Sequence, residues 1–173
     1  MHSSLIQFFV SKVYQGIAVV FVTVAAVCFI MGISIGTGYA AEPVTGLWTT
    51  IDDETNTPKS VVYVYEYGHQ VYGRIVKLFQ NADKRMSKVV GNPPILGADI
   101  IWGMQDTGDR YKNGKILDPK KQKIYNSELW REGDTLIVRG KIGPFGRNQT
   151  WVKNTDSSLI PPAPVIPAIP VLK

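Results

Sequence analysis

Turn signals separate short apolar segments about every ten residues between positions 46 and 153. The apolar segments are rich in β-branched and aromatic residues, which fit a pleated strand. The segments between them are rich in Gly, Asn, Asp and Pro, which supply turns. This spacing is typical of an antiparallel meander, and no stretch shows a sustained helical period with capping residues. Only "NADKRMSKVV", residues 81–90, is a candidate for a short helix or a mobile loop.

Eight segments have the strand pattern. They read "TGLWTTID", "SVVYVYEY", "HQVYGRIVKLF", "ADIIWGMQD", "RYKNGKILD", "KIYNSELWREG", "DTLIVRGKIG" and "RNQTWVK". The dipeptides Asn113-Gly114 and Gly133-Asp134 predict tight turns. About eight strands are enough to close a barrel that has no free edge. The sequence therefore predicts an all-β fold, a single antiparallel up-and-down β-barrel.

The first forty residues contain one charged side chain, Lys12, and the stretch from Gly16 to Ala41 contains none. A weakly basic start, an apolar run and small residues at Gly38 and Ala40 predict a secretory signal over residues 1–40. The apolar run is also long enough to span a bilayer, which needs roughly 20 residues. An uncleaved anchor over residues 16–41 is therefore the alternative. Both interpretations place the remaining chain outside the cytoplasm.

Beyond the export segment, the pattern predicts a folded domain over residues 43–153 and a tail over residues 154–173. Five prolines lie between Pro161 and Pro170, and proline favours an extended, polyproline II conformation that cannot join the interior of a sheet. The tail is predicted to be a disordered, mobile arm, with a docking segment as the alternative. The only cysteine, Cys28, lies in the export segment, so the exported domain has no disulfide.

Basic residues are concentrated in the segment "RYKNGKILDPKKQK". They are Arg110, Lys112, Lys115, Lys120, Lys121 and Lys123. The simpler interpretation is a solvated hairpin, and the alternative is a basic patch that contacts anionic lipid or polymer of the cell envelope. Nucleic acid is not an expected partner, because the net charge of +5 is mild and no aromatic–basic motif is present.

Alternation along the strands assigns candidate residues to the barrel interior. In the fourth strand Ile100, Trp102 and Met104 share one face, and in the seventh Leu136 and Val138 share the face expected inside. In the second strand three tyrosines alternate with valines, and periodicity leaves open which set faces inward. The candidate wall of a ligand-binding lumen consists of Trp102, Met104, Tyr125, Leu136 and Val138.

Catalytic chemistry has little support in the sequence. His69 is the only histidine after the export segment and stands beside the turn residue Gly68. With one histidine and no thiol, neither a metal cluster nor a Cys-His or Ser-His-Asp set can be assembled. Paired carboxylates in the run 52–54, or Asp99 with Asp106, are the remaining alternative. The sequence predicts a protein that is not an enzyme and that uses no metal and no cofactor.

Four motifs carry a family resemblance. They are "GLW", "PILGADIIWGM", "NGKILDPKKQKIY" and "LIVRGKIGPFGRNQTW". In this order they resemble the exported bacterial family catalogued as domain of unknown function 2147, over residues 46–153. The resemblance implies a small lipocalin-like (calycin) β-barrel, exported to the periplasm or secreted by Gram-negative bacteria, with no established activity.

The resemblance also implies how the barrel closes. Calycin barrels have a Gly-x-Trp on the first strand, with a basic side chain from the last strand over the indole. Gly46 and Trp48 match the first part, and Arg139 or Arg147 is expected to supply the cation, in a closing hairpin that ends at Trp151. A guanidinium over an indole stabilises by roughly 0.5–2 kcal/mol.

Cysteines that relatives often carry are absent here. One common pair corresponds to Tyr67 and Tyr72, and another to Lys141 and Gly146. We expect Tyr67 and Tyr72 to pack against each other across their hairpin in place of a bridge.

Two functions from different classes follow. The first is an exported, non-catalytic barrel that binds a small apolar or amphipathic molecule in its lumen. The alternative is a cell-envelope interaction module with a filled barrel, in which the basic hairpin and the proline-rich tail make the contacts. The volume of the lumen distinguishes the two.

Overall fold

In the computed structural model, which describes residues 41–173, eight strands follow one another along the chain. They are β1 (Gly46–Ile51), β2 (Pro58–Tyr67), β3 (Gln70–Leu78), β4 (Asp99–Asp106), β5 (Tyr111–Asp118), β6 (Lys123–Glu132), β7 (Thr135–Ile142) and β8 (Phe145–Asn154). Each strand pairs antiparallel with the next, and β8 pairs back with β1, so the sheet closes on itself. The predicted all-β, up-and-down barrel of eight strands is confirmed.

The predicted export segment lies outside the described residues, and its cleavage or retention stays a prediction. Within residues 41–173, no helix has the length and the apolar character needed to cross a bilayer. A single turn of 3-10 helix, Ser157–Leu159, follows β8.

The second strand places its valines inside the barrel. Val62 and Val64 are fully buried members of the core, and Tyr63 and Tyr65 alternate with them on the other face. The rings of Tyr63 and Tyr65 stack with centroids 5.6 Å apart, and Tyr65 stacks on its cross-strand partner Tyr72 at 5.8 Å. The burial pattern thus decides a question that periodicity left open.

The tyrosine row continues to the tip of the β2–β3 hairpin. Tyr67 meets Tyr72 edge to face, with ring centroids 6.4 Å apart. The predicted contact between Tyr67 and Tyr72 is confirmed.

Strict alternation is wrong for the fourth strand. Ile100 and Ile101 are both buried although they are neighbours, and Trp102 is only half-buried and pairs with Lys115. The register between β3 and β4 shifts on both sides of Gly73, and a bulge of this kind disrupts the alternation of a strand.

The predicted turn at Asn113-Gly114 is also wrong, because both residues lie within β5. Asn113 has a φ of +65°, and the register with β6 shifts between Tyr111 and Gly114. A Cβ at Gly114 would come within 2.8 Å of Cγ of Met104. The Asn-Gly pair therefore lets a buried methionine lie against the backbone, within a strand.

The connection 79–98 between β3 and β4 contains neither helix nor strand. Of the two alternatives for residues 81–90, the short helix is therefore wrong and a loop is present. Met86, Val89 and Ile95 of this connection are buried in the main core. The N–H of Met86 donates to the carbonyl of Pro93 at 2.9 Å, which folds the connection back on itself. We call residues 79–98 the β3–β4 loop.

The proline-rich tail contacts the rest of the protein at several points, whereas its composition predicts a mobile arm. The N–H of Ala168 donates to Asp99, and the N–H of Val90 donates to the carbonyl of Val171. Leu172 forms an isolated β-bridge with Val89, after the last proline. The prolines do keep the segment out of the barrel sheet, and the non-proline residues make the hydrogen bonds.

Candidate functional site

A cavity of about 820 Å³ opens at one end of the barrel. Four connections surround it, namely β1–β2, the β3–β4 loop, β5–β6 and β7–β8. We call this the open end, and the opposite end, where β1 begins and β8 finishes, the closed end. A cavity of this size lies within the range of small-molecule sites.

The lining of the cavity changes from its floor to its rim. The floor is apolar and buried, and it includes Ile75, Ile100, Leu117, Val138 and Trp151. Nearer the rim, Ile51, Leu78 and Tyr125 are half-buried, while Ile142 and Phe145 are 68% and 78% exposed. The result is an apolar funnel with an accessible upper wall.

Two of the predicted lumen residues, Tyr125 and Val138, line the cavity. The other three do not. Met104 and Leu136 are fully buried in the core away from the cavity, and Trp102 packs half-buried against that core. In the seventh strand alternation identifies which residues face inward, but it does not distinguish the filled part of a barrel from the open part.

Several cavity residues were not predicted from the sequence. Ile75 and Ile116 stand in ordinary strands, and Ile95 comes from the β3–β4 loop. Inward alternation in β3 and β5 is the signal that would identify the first two. Trp151, assigned to barrel closure, instead contributes to the cavity floor.

The rim carries charges of both signs. Its lysines and arginine are Lys59, Lys84, Lys120, Lys121 and Arg147, and its aspartates are Asp52 and Asp118.

Nearby acids pair with two of the rim cations. Arg147 pairs with Asp53 at 2.8 Å and Lys120 with Glu54 at 3.4 Å. Lys59, Lys84 and Lys121 form no ion pair among residues 41–173.

The aspartates of the rim are held by their own turns. Backbone N–H groups of Glu54 and Thr55 donate to Asp52 and hold its pKa below the usual range. Asp118 accepts from the N–H groups of Lys120 and Lys121. The rim is therefore polar and of mixed charge around an apolar interior.

The closed end is filled by Trp48, which is 2% exposed. Its indole N–H donates to the carbonyl of Val44 at 2.8 Å, and the guanidinium of Arg131 lies 6.0 Å from the ring centroid. Gly46 opens β1 with a φ of +128°, in the region that favours glycine. The expected closure of a Gly-x-Trp by a cation is thus present, with a different arginine.

The predictions of Arg139 and Arg147 as the closing cation are wrong. Trp48 pairs with Lys153 on β8, and Arg147 stands six positions earlier. At about 3.3 Å per residue, Arg147 lies roughly 20 Å away, at the open end. Arg139 of β7 pairs with Asn148 of β8, also far from Trp48. Arg131 lies at the end of β6 that the barrel brings to the closed end.

The predicted basic patch is divided among different surroundings. Arg110 lies 4.8 Å from the ring centroid of Trp130 and pairs with Asp109, which also pairs with Lys112. Lys120 and Lys121 belong to the rim of the cavity. Lys115 and Lys123 line a separate shallow groove on the outer wall.

Within the part of the chain that the structure describes, no group of three His, Cys, Asp or Glu side chains is placed to hold a metal ion.

A solved structure that shares this fold is that of the protein HP1028 from Helicobacter pylori, which its title assigns to the lipocalin family. The two chains are 18% identical, with a TM-score of 0.59, and the match covers 68% of this chain and 86% of that chain. The likeness establishes the lipocalin-like barrel. Among curated proteins, none matches this chain.

A protein family matches this chain over residues 46–153. The matched range contains the Gly-x-Trp at the closed end and the four motifs quoted above. This range is more than half of the 173 residues. The chain belongs to the bacterial family described as "Uncharacterized protein conserved in bacteria (DUF2147)".

Proposed function

We propose that this protein is an exported carrier that binds one small amphipathic molecule in the open end of its barrel. The observation that supports the proposal most is the cavity of about 820 Å³ with an apolar floor and a polar rim. Apolar burial would provide most of the binding free energy, at roughly 25 cal/mol per Å². The rim would keep the polar head of the ligand in water.

The envelope-interaction alternative requires a filled barrel and an available basic patch. A cavity of this size argues against the first condition. The second condition is met only in part, because Arg110, Lys112 and Lys120 have acidic partners and the six cations are divided among different surroundings. The carrier is therefore the better supported function.

A non-catalytic role and a location outside the cytoplasm are part of the same proposal. The first rests on the residue types of the sequence, in which residues 41–173 contain one histidine and no cysteine, and the second on the export pattern of residues 1–40. N-terminal sequencing of the protein in a periplasmic fraction tests the location, since cleavage after Ala40 predicts Ala41 as the first residue. Recovery of the protein in the cytosolic fraction alone would contradict it.

Native mass spectrometry of protein purified from the periplasm tests for a ligand bound in the cell, and titration with a fluorescent long-chain fatty acid tests the cavity. The decisive variant is Gly140→Leu, because Gly140 lines the cavity and the nearest heavy atom to an added Cβ is 3.9 Å away. The leucine enters the cavity without a clash at its first carbon. We expect affinity for the probe to fall at least about tenfold, a loss of about 1.4 kcal/mol.

Val152→Leu is the matched control, since Val152 is 45% exposed on β8 and does not line the cavity. Its affinity for the probe should equal that of the unaltered protein. Equal affinity in Gly140→Leu and Val152→Leu would show that the probe binds elsewhere. Absence of both a native ligand and probe binding would reject the carrier.

A further inference from the structure

The C-terminal segment has a regular contact edge. Prolines recur at positions 161, 164, 167 and 170, a spacing of three that equals the period of a polyproline II helix. Pro161, Pro167 and Pro170 are half-buried, whereas Pro162 and Pro164 are exposed. Three of the four prolines at this spacing are therefore turned toward the rest of the domain.

The middle of this segment is anchored on the barrel wall. The N–H of Ala168 donates to Oδ2 of Asp99 at 2.6 Å, and Nη2 of Arg74 donates to the carbonyl of Ile166 at 2.8 Å. Asp99 and Arg74 also form an ion pair at 2.6 Å, and the hydroxyl of Tyr65 donates to Oδ1 of Asp99 at 2.9 Å.

The anchor is largely built without the tail. The side chain of Asp99 is 0% exposed and that of Arg74 is 22% exposed. Tyr65 and Arg74 belong to β2 and β3, and Asp99 begins β4, so three strands hold the carboxylate in place. The hydroxyl and the guanidinium satisfy both of its oxygens, and the tail adds one further donor. Hydrogen bonds to a charged group are stronger than neutral ones.

The end of the segment is anchored on a different element, the β3–β4 loop. The N–H of Val90 donates to the carbonyl of Val171 at 2.8 Å, and the N–H of Lys173 donates to the carbonyl of Lys88 at 2.9 Å. Between these bonds Leu172 faces Val89 and packs against the core. The last residues thus form a short antiparallel pairing with the loop.

The β3–β4 loop is one wall of the cavity. Gln80, Asn81, Lys84 and Ile95 of this loop line it. The loop has no strand or helix of its own. Apart from the last residues, it is held by backbone bonds such as that from the N–H of Ile95 to the carbonyl of Lys84 and by the burial of Met86, Val89 and Ile95. Loops outside regular strands and helices are among the parts of a protein that open most easily.

We infer that residues 161–173 form a strap that ties the β3–β4 loop to the barrel wall at Asp99, and that release of the strap opens this side of the cavity. The second part of this inference, that the strap controls how fast a ligand enters and leaves, rests on the proposed carrier function. The first part, that the strap holds the loop in place, does not, because it concerns only the loop and its anchors.

The test is hydrogen exchange on the full chain that carries Ala168→Pro. This change removes the N–H that binds Asp99, while a proline suits an extended, proline-rich segment. The informative amides are those of Met86, Asn92 and Ile95, because they bond to carbonyls within the loop itself. We expect their exchange to accelerate about tenfold, as for one lost charge-assisted hydrogen bond.

Ala163→Pro is the matched control, since Ala163 is an exposed alanine of the same segment with no hydrogen bond to the rest of residues 41–173. Exchange in this variant should equal that of the unaltered protein. A second variant, Ala168→Pro with Leu172→Lys, weakens both anchors, because Leu172 shares a groove with Lys115 and Lys123 and a further cation there would be repelled, and it should accelerate exchange further. Unchanged loop exchange in both Ala168→Pro variants would overturn the strap.

The control of ligand exchange is measured separately with the fluorescent fatty acid. Both the association and the dissociation rate constants should rise about tenfold in Ala168→Pro and stay unchanged in Ala163→Pro. If hydrogen exchange in the loop is faster but the rate constants for the probe are unchanged, the strap holds the loop but does not control ligand binding. If native mass spectrometry finds no ligand and the probe does not bind the unaltered protein, the carrier is rejected, and the hydrogen-exchange experiment would still decide the strap.

Discussion

The same eight strands form a filled closed end and an open end with a cavity. At the closed end the turns are short, as at Gly68-His69 and Gly133-Asp134, and Trp48 fills the space between them. At the open end the β3–β4 loop is long, and the cavity begins above Val138 and Trp151. Buried side chains fill one end, and the other end keeps an accessible cavity.

This difference separates stability from binding along the barrel axis. Buried aromatic residues contribute most where no cavity surrounds them, because every contact that they make is with protein. The open end can then be shaped by loops and by rim charges with little loss of core packing. Substitutions at the two ends should therefore have different effects, and matched pairs of substitutions test this comparison.

The largest effect is expected from Trp48→Ala at the closed end. The change removes a side chain that is 2% exposed, a hydrogen bond to Val44 and the contact with Arg131, and should lower the free energy of unfolding by about 3–5 kcal/mol. Phe145→Ala at the open end, where the ring is 78% exposed, should change it by less than about 0.5 kcal/mol. Urea denaturation measures both.

A milder variant keeps this prediction testable if Trp48→Ala does not fold. Trp48→Phe retains an aromatic ring and removes the N–H donor, so we expect a loss of about 1–3 kcal/mol. Equal losses in Trp48→Phe and Phe145→Ala would break the comparison between the ends.

A pair of glycines gives the next effect. At Gly114 an added Cβ would lie 2.7 Å from the carbonyl oxygen of Trp102, and at Gly140 the nearest heavy atom is 3.9 Å away. Gly114→Ala should therefore destabilise by about 1–3 kcal/mol through overpacking. Gly140→Ala should be neutral or slightly stabilising, since alanine loses less chain entropy on folding. Thermal unfolding compares the two, and equal midpoints would contradict the assignment of Gly114 to a filled region.

The smallest effect concerns Arg131, which lies over Trp48, and Arg147, which was predicted to do so. Arg131→Met removes a cation near the indole of Trp48 and should cost about 0.5–1 kcal/mol. Arg147→Met removes an exposed pair with Asp53 and should cost less than about 0.5 kcal/mol. A greater loss of stability in Arg147→Met than in Arg131→Met would contradict the assignment of Arg131 as the closing cation. Denaturant midpoints measured at one salt concentration distinguish them.

The strands were predictable because their signal is local. β-branched and aromatic runs such as those of β2 and β7 need only neighbouring residues to be recognised. The same locality explains the error at Asn113-Gly114. This dipeptide is typical of a turn, but here it forms a bulge in β5 that makes room for Met104 of the neighbouring strand β4. A dipeptide carries no information about a side chain that reaches it from another strand.

The candidate site was less predictable for a related reason. Val138 was found by alternation, but Met104 and Leu136 satisfy the same pattern and lie in the filled part of the core. Height along the barrel axis depends on strand stagger, which no single strand reveals. Ile95 was missed because it lies in a loop without periodicity.

By itself the sequence determined an antiparallel barrel of about eight strands with a Gly-x-Trp on its first strand, because each depends on hydrophobicity and turn chemistry over a few residues. Only the tertiary structure decided which end is filled, which arginine stands over Trp48 and where the last prolines lie. These depend on the register in which distant strands pair, since a shift of a few positions moves a side chain from one end of the barrel to the other.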